Sequence, residues 1–408
     1  MANKVVVTGL NMLTALGLGW EETWENIKKG KSGVKKITLF DASENQTQIA
    51  AELPADFAEK SSSIIKKRIA KQMTRVTQMS YVCAVEAIEK HNIDFDQLDK
   101  KRVGVILGVV NTGDSTTEKG TDSKNLIIKR MNNAMSAWIG MRYNIEGPNY
   151  TTSSACSSSA FAIALGYDAI KAGRADMMIV GGADSIINKE EIDGFNEIYA
   201  LAVANDKPEK ASCPFSKNRD GFVIGEGAGM MILESEESAK ARGAKIYAEL
   251  ADYAFTNESY NIMAPKPNGE GMADTMELAI NNAGISKDSV SYINAHGTST
   301  MLNDMYETQA IKKVFGDQAY KIPVSSTKSM TGHTIGAAGA IEGIISVLAI
   351  KDGIIPPTIN YNEPDPELDL DYVPNKAHKQ NIDIALSNSF AFGGHNVTLV
   401  FKKYWNFT

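Results

Sequence analysis

Residues 157–173 read SSSAFAIALGYDAIKAG, and residues 336–353 read GAAGAIEGIISVLAIKDG. Each is a run of small and apolar residues at helical spacing, and each closes on Ile-Lys-x-Gly, where the glycine suits a helix C-terminus. With Gly173 and Gly353 in register, Cys156 falls opposite Gly336, and His333 lies three residues upstream of that position. Such an echo implies two similar halves whose equivalent helices meet, each opened by a turn carrying reactive groups. An echo this short also arises by chance, so the rest of the chain has to support it.

Around the echo, apolar runs such as Val5-Val6-Val7, Val103-Gly104-Val105-Ile106-Leu107 and Met177-Met178-Ile179-Val180 alternate with helical periodicity over 76–90 and 159–172. That is the pattern of an α/β fold with buried strands. No Gly/Ser- or Pro-rich linker divides the chain, and the two halves are expected at 1–244 and 245–408. A chain of 408 residues, 43% hydrophobic and 22% charged, is long and apolar enough to fold around one large or two medium cores, which sets disorder aside. The first apolar burst is broken by Thr8, Gly9 and Asn11, and no later stretch approaches the length of a membrane span, so a soluble, cytoplasmic protein is expected. The net charge of −7 argues against a nucleic-acid partner. Three cysteines, Cys83, Cys156 and Cys213, are odd in number and far apart; this excludes a disulfide framework and CxxC metal spacing but leaves room for a reactive thiol.

The segment TTSSACSSS (151–159) leads from an extended stretch into the first of the echoed helices, which puts Cys156 at a helix N-terminus. Unpaired backbone N–H groups and the positive end of the dipole favour a thiolate there, and the small neighbours admit a bulky substrate. Taken alone, a cysteine among small residues is more often core filler. Two of the five histidines fall in Gly/Thr/Ser-rich turns, His296 in NAHGTST (294–300) and His333 in KSMTGHT (328–334). Either could be structural, but two neutral imidazoles converging on a thiolate would stabilise a thioester oxygen as it becomes an enolate. Lys328 could hold or polarise His333, although a lone loop lysine is commonly just solvated. In SFAFGGHN (389–396), the paired glycines permit a tight turn that could offer the Phe392 N–H as an oxyanion donor and its ring as a gate; the alternative is a plain turn into a last strand. GEGAG (225–229) lacks the strand–GxGxxG–helix frame, and with no GxxxxGK[ST], HExxH or Cys/His cluster, no metal is expected.

Together these segments resemble the β-ketoacyl-acyl carrier protein synthases, specifically the elongating type II ketosynthases with a Cys-His-His triad. The likeness runs from VVVTGL (5–10) through PFSKNRDGF (214–222) and GEGAG to FAFGG (390–394). It implies a thiolase fold, an αβαβα five-layer sandwich of two similar halves, normally dimeric. It further implies that Cys156 takes an acyl chain from an acyl carrier protein, with the oxyanion held by the N–H groups of Cys156 and Phe392. His296 and His333 would then donate to the malonyl thioester oxygen during decarboxylation, with Lys328 supporting them electrostatically. By the same resemblance Glu342 is structural, Phe390 and Gly393 support the turn, and Thr298 and Thr300 bond the phosphopantetheine arm. No metal or redox cofactor is implied.

Lys66-Lys67-Arg68, Lys71 and Arg75 form a basic patch whose spacing predicts one helix with Arg68, Lys71 and Arg75 on a common face. A solvated face is the default for such a run; the resemblance implies docking of an acidic carrier by Lys67, Arg68 and Lys71. The chain departs from the family at Ala204, where an arginine is common, at Met301 after HGTST, and at His395 after FGG. A fourth departure is Asn111-Thr112, which places polar groups on the acyl-pocket floor. A polar floor suits a polyene, aryl-primed or otherwise functionalised chain, so a specialised polyketide or polyene pathway is expected ahead of housekeeping fatty-acid elongation. Two rivals fit less well. A degradative thiolase or coenzyme A-primed initiating synthase pairs its cysteine with a second cysteine or an asparagine, and a non-catalytic chain-length-factor-like subunit would lack Cys156. Whether the dimer is homomeric or formed with such a subunit is left open by the sequence.

Overall fold

The computed structural model describes residues 4–112 and 126–405. Its buried apolar runs become strands β1 (Val5–Leu13), β2 (Val103–Gly108), β3 (Asn149–Thr152), β4 (Met177–Asp184), β5 (Gly227–Ser235), β6 (Ala248–Asn257), β7 (Tyr292–Asn294), β8 (Val324–Ser325), β9 (Ile384–Ala391) and β10 (His395–Lys402). The helices that position the site are α1 (Arg75–Lys90), α2 (Ala134–Tyr143), α3 (Ser158–Lys171), α4 (Lys189–Glu197), α5 (Glu270–Asn282), α6 (Met301–Phe315) and α7 (Ala338–Asp352).

Hydrogen bonding orders the strands β8-β7-β9-β10-β6-β1-β5-β4-β2-β3. Between β1 and β6 the ladder is only Val5–Val7 against Ala248–Leu250. On either side of that seam, counted inward from the outer edge, the strands run third, second, fourth, fifth and first of their half. The echo therefore belongs to the architecture: α3 follows the third strand of the first half and α7 the third strand of the second. The backbone repeats as well, since Ala155 and Ile335, the residues before Cys156 and Gly336, both take left-handed φ values, 49° and 47°.

Helices α3 and α7 touch each other and strands of both halves, while α1 and α2 cover the first half-sheet and α5, backed by α6, covers the second. The result is the αβαβα layering expected from the sequence. Residues 338–350 of α7 are buried on every side, as a middle layer requires of a helix apolar all round. Where the two central helices meet, a Cβ on Gly339 would come within 2.8 Å of the Ala160 Cβ, so only glycine permits this approach. Ser159 Oγ accepts the Ala340 N–H there at 2.9 Å, pinning the two halves together next to the cysteine turn.

The basic segment differs from its expectation. A helix spans only Lys67–Ala70, Lys71 ends it, and Thr74 caps α1 by accepting the Thr77 N–H at 3.3 Å. Arg75 thus begins a different helix and turns inward, its Nε 2.7 Å from the buried Glu226 carboxylate, which also takes the Leu53 N–H and the Ser185 hydroxyl. Arg68, Lys71 and Arg75 do not share a helix face. Lys66, Lys67, Arg68 and Lys71 are exposed. Among the described residues no helix is long and apolar enough to cross a membrane.

Candidate active site

The serine-rich sequence before α3 builds the turn that presents Cys156. Ser157 Oγ donates to the Ser154 carbonyl at 2.8 Å, Ser158 Oγ to the Ala155 carbonyl at 2.7 Å, and the Ser154 N–H donates back to Ser158 Oγ at 2.9 Å. These local bonds hold Ala155 in its left-handed conformation, a strain that bulkier or apolar neighbours would not offset. Cys156 emerges two residues before α3, buried, with its own N–H and that of Phe392 directed at its sulfur. Lys328 and the two N–H groups favour the thiolate, as the N-terminal position implied for the backbone, but burial dominates and pushes the thiol up to about 12. The resting group is the thiol. Cys83 and Cys213 are buried elsewhere in the core.

His296 and His333 arrive from opposite loops of the second half, after β7 and after the short helix Lys328–Thr331. Their rings are perpendicular at a centroid distance of 5.4 Å. One ring nitrogen of each, together with Cys156 Sγ, forms a trio lying within 4.8 Å of one another. Both imidazoles are held well below their ordinary pKa, first by desolvation and then by the positive charge of Lys328. They are neutral at physiological pH, each with an N–H to donate. Among the described residues neither ring nitrogen of His333 nor Nδ1 of His296 has a hydrogen-bond partner, although buried polar groups are normally satisfied. Such donors are poised for a ligand oxygen.

Lys328 is not a solvated loop lysine: it is fully buried and ion-paired to Glu342 on α7. Desolvation raises the Glu342 carboxyl to about 7 despite that partner. Two further carboxylates escaped the sequence reading. Glu307 of α6 accepts the N–H groups of His296 and Gly297 at 2.9 and 2.8 Å and is itself held by Asn388 of β9 at 3.2 Å. Asp184, at the end of β4, accepts the N–H groups of Val110 and Gly336 at 3.0 and 3.1 Å, tying the pocket wall of one half to the histidine loop of the other. The signal for Glu307 was available, since Asp304 and Glu307 stand one turn apart in the helix that follows HGTST; for Asp184 there was none before the halves were placed in space.

The trio opens on a cavity of about 620 Å³, also lined by Phe390, Phe392, Thr298, Thr300 and Asn111. The hydroxyls of Thr298 and Thr300 are 2.9 Å apart. Gly393, at φ 80°, makes the turn that brings the Phe392 N–H to the sulfur, while the exposed Phe392 ring stands over the cavity. Of the Asn111-Thr112 pair expected on the floor, Asn111 is exposed and lines the cavity, whereas Thr112 does not line it and donates its hydroxyl to the Arg130 carbonyl at 3.0 Å. Met301 lines the cavity, exposed at the start of α6, and Ala204 is exposed. His395, on β10, faces the Phe161 ring at 6.5 Å. Lys67, Arg68 and Lys71 do not line this cavity.

The beta-ketoacyl synthase N-terminal domain profile matches residues 2–239, and the C-terminal domain profile matches residues 247–362. The chain belongs to the β-ketoacyl synthase family. It is accordingly an acyltransferase, as the motifs implied. The 3-oxoacyl-[acyl-carrier-protein] synthase 2 of Synechocystis sp. is 42% identical to this β-ketoacyl synthase over 411 residues, covering 98% of each chain. Among solved structures, a chain of a type II polyketide acyl-carrier protein complex with its ketosynthase bound to the hexaketide superposes with a TM-score of 0.90 at 33% identity, covering 99% of this synthase and 100% of that chain. A chain of the ishigamide ketosynthase/chain length factor superposes equally well, TM-score 0.90 at 32% identity and the same coverage. The thiolase-type fold and the family recognised from the motifs therefore extend over nearly the whole sequence.

Proposed function

We propose that this β-ketoacyl synthase elongates an acyl chain by decarboxylative Claisen condensation with malonyl-acyl carrier protein. The carrying observation is the convergence, within 4.8 Å, of the Cys156 sulfur with one ring nitrogen from each of two neutral imidazoles that have unpartnered nitrogens. In the first half-reaction the Cys156 sulfur attacks the thioester carbon of an acyl-carrier. The N–H groups of Cys156 and Phe392 hold the tetrahedral oxyanion, the carbon–sulfur bond to the carrier breaks, and the thiol proton leaves with the carrier thiol. In the second, the malonyl carboxylate departs as carbon dioxide and its bonding electrons form the enolate of the remaining thioester. His296 and His333 donate to that enolate oxygen. The enolate carbon attacks the acyl-Cys156 carbonyl, the carbon–sulfur bond to Cys156 breaks with its electrons on sulfur, which takes a proton from solvent to restore the thiol, and β-ketoacyl-carrier leaves.

In this reading Lys328 keeps the histidines neutral, Glu342 offsets the buried lysine, and Thr298 and Thr300 bond the phosphopantetheine arm. The chemistry calls on no metal or redox cofactor, and the halves 1–244 and 245–408 supply nucleophile and histidines respectively. The exposed Lys67, Arg68 and Lys71 would dock the acidic carrier. The relative named above is a 3-oxoacyl-[acyl-carrier-protein] synthase 2, whereas the structural neighbours come from a type II polyketide ketosynthase complex and from a ketosynthase/chain length factor. Asn111 on the cavity wall favours a functionalised chain over a plain saturated one, and with it a specialised polyketide or polyene pathway. Intact-mass measurement of Cys156 acylation across saturated, unsaturated and aryl acyl-carriers tests this: faster loading of the functionalised chains supports it, and preference for saturated chains reverses it. Condensation by the purified chain alone would mark a homodimer, and dependence on a second ketosynthase-like subunit a heterodimer.

A further inference from the structure

The wall of the cavity that leaves the histidines is a succession of aromatic rings followed by a carboxylate. Phe222 stands 5.3 Å from the His333 ring, and Phe195 stands 5.4 Å from Phe222, both edge-on. Glu191 lies four residues before Phe195 on α4, about 6 Å further along the axis. Glu191 and Phe195 of α4, with Ile198 directly after it, are spaced by four and three and line the cavity, whereas Lys189, Glu190, Asp193 and Glu197 face a separate surface hollow. Ile186, Ile187 and Asn188, just before α4, are buried, whereas Tyr199, just after it, is 87% exposed. Glu191, half-buried, lines the cavity beside these rings, within electrostatic reach of the buried Asp184.

Ile186, Phe195, Phe222, Val110 and Ile335, the neighbours of this wall, form one apolar cluster. A carboxylate beside such a cluster loses hydration, and burial raises its pKa. Among the described residues the Glu191 carboxylate has no hydrogen-bond or ion-pair partner; only its backbone N–H is bonded, to Asn188 Oδ1 at 2.9 Å. An apolar cavity wall that carries an acceptor without a protein partner favours a chain with a donor at the matching point and disfavours one that would press a methyl group against it.

The geometry points to Glu191 as the residue that selects the acyl chain, by accepting a hydrogen bond from a hydroxyl or phenol at the end remote from the thioester. This rests on the condensing-enzyme reading above, which already makes Cys156 the point of attachment. The carboxylate fixes only the chemistry of the distal group, a hydrogen-bond donor carried on an otherwise apolar chain.

The test compares Cys156 loading, followed by intact mass, from two acyl-carriers of equal chain length, one with a terminal hydroxyl and one without, on the wild-type protein, Glu191→Gln and Glu191→Leu. A charged hydrogen bond of ordinary strength predicts a preference of about 10- to 100-fold in kcat/KM for the hydroxylated chain in the wild type. Glu191→Gln, which keeps an acceptor, should retain a reduced preference, and Glu191→Leu should reverse it. Once loaded, all three should condense with malonyl-carrier at similar rates, because Glu191 is not one of the groups that hold the sulfur or the thioester oxygen. Equal loading of both chains by the wild type, or an unchanged preference in Glu191→Leu, would overturn the assignment while leaving the condensing reaction intact. No loading of Cys156 from any acyl-carrier would bring down both.

Discussion

Replacing Lys328 with methionine should be among the most damaging single changes in this protein, and a second substitution should repair much of the damage. The lysine and Glu342 side chains are each only 2% exposed, and the second Glu342 oxygen has no hydrogen-bond partner among the described residues. Removing the ammonium leaves a carboxylate in a dry site, a change that costs about 3–5 kcal/mol when one partner of a buried pair is lost. Lys328→Met combined with Glu342→Leu replaces both charges by apolar groups of similar volume, which is often neutral, so the double variant should recover most of that loss. The pH dependence carries a sign. Glu342 titrates near 7 in the folded protein against 4.5 ordinarily, so between those values the folded state holds a proton that the unfolded state has released, and its contribution to stability falls as pH rises through the window. Without Lys328 the folded value climbs further, so the single-variant deficit should be large at pH 8 and shrink toward pH 5, where the carboxyl is neutral. The double variant should lack this trend. Urea unfolding midpoints at several pH values, compared at constant slope, supply the measurement. A Lys328→Met deficit below about 1 kcal/mol at pH 8, or a double variant no more stable than the single, would refute the reasoning.

His296→Ala and His333→Ala should each slow malonyl-carrier decarboxylation by about 10²–10³-fold, and together by less than the product, because both donate to one oxygen; undiminished carbon dioxide release would remove them from the mechanism. Glu307→Ala strands the N–H groups of His296 and Gly297, so decarboxylation should fall with a stability loss of about 1–3 kcal/mol, and Glu307→Gln should restore part of each; identical behaviour of the two variants would argue against the carboxylate's positioning role. Arg68→Glu should raise KM for carrier-bound substrate with kcat nearly unchanged, most strongly at low salt, and salt-independent kinetics equal to wild type would contradict docking there.

The parts of this molecule that were legible in the sequence are those written in local patterns. The echo around Cys156 and Gly336 foretold paired helices α3 and α7, and the structure repeats even the left-handed residue before each. The histidine turns and the FAFGG turn were visible because glycine and hydroxyl residues cluster where backbone must approach a ligand. What remained hidden depends on contacts between segments far apart in the chain. Asp184 joins Val110 to Gly336 across the two halves, and Arg75 left its expected helix face because Thr74 started a new helix and Glu226, about 150 residues away, was buried beneath it. The thiol of Cys156 shows the same limit: the helix N-terminus could be read from sequence, while the desolvation that outweighs it could not.

Cys156→Ala tests the central claim most directly, with acyl loading, malonyl-carrier decarboxylation and β-ketoacyl-carrier formation followed on one preparation. The variant should carry no acyl group and form no condensation product, yet it should continue to release carbon dioxide at the wild-type rate or faster, because His296 and His333 are untouched. Condensation product formed at the wild-type rate by Cys156→Ala would contradict the covalent mechanism.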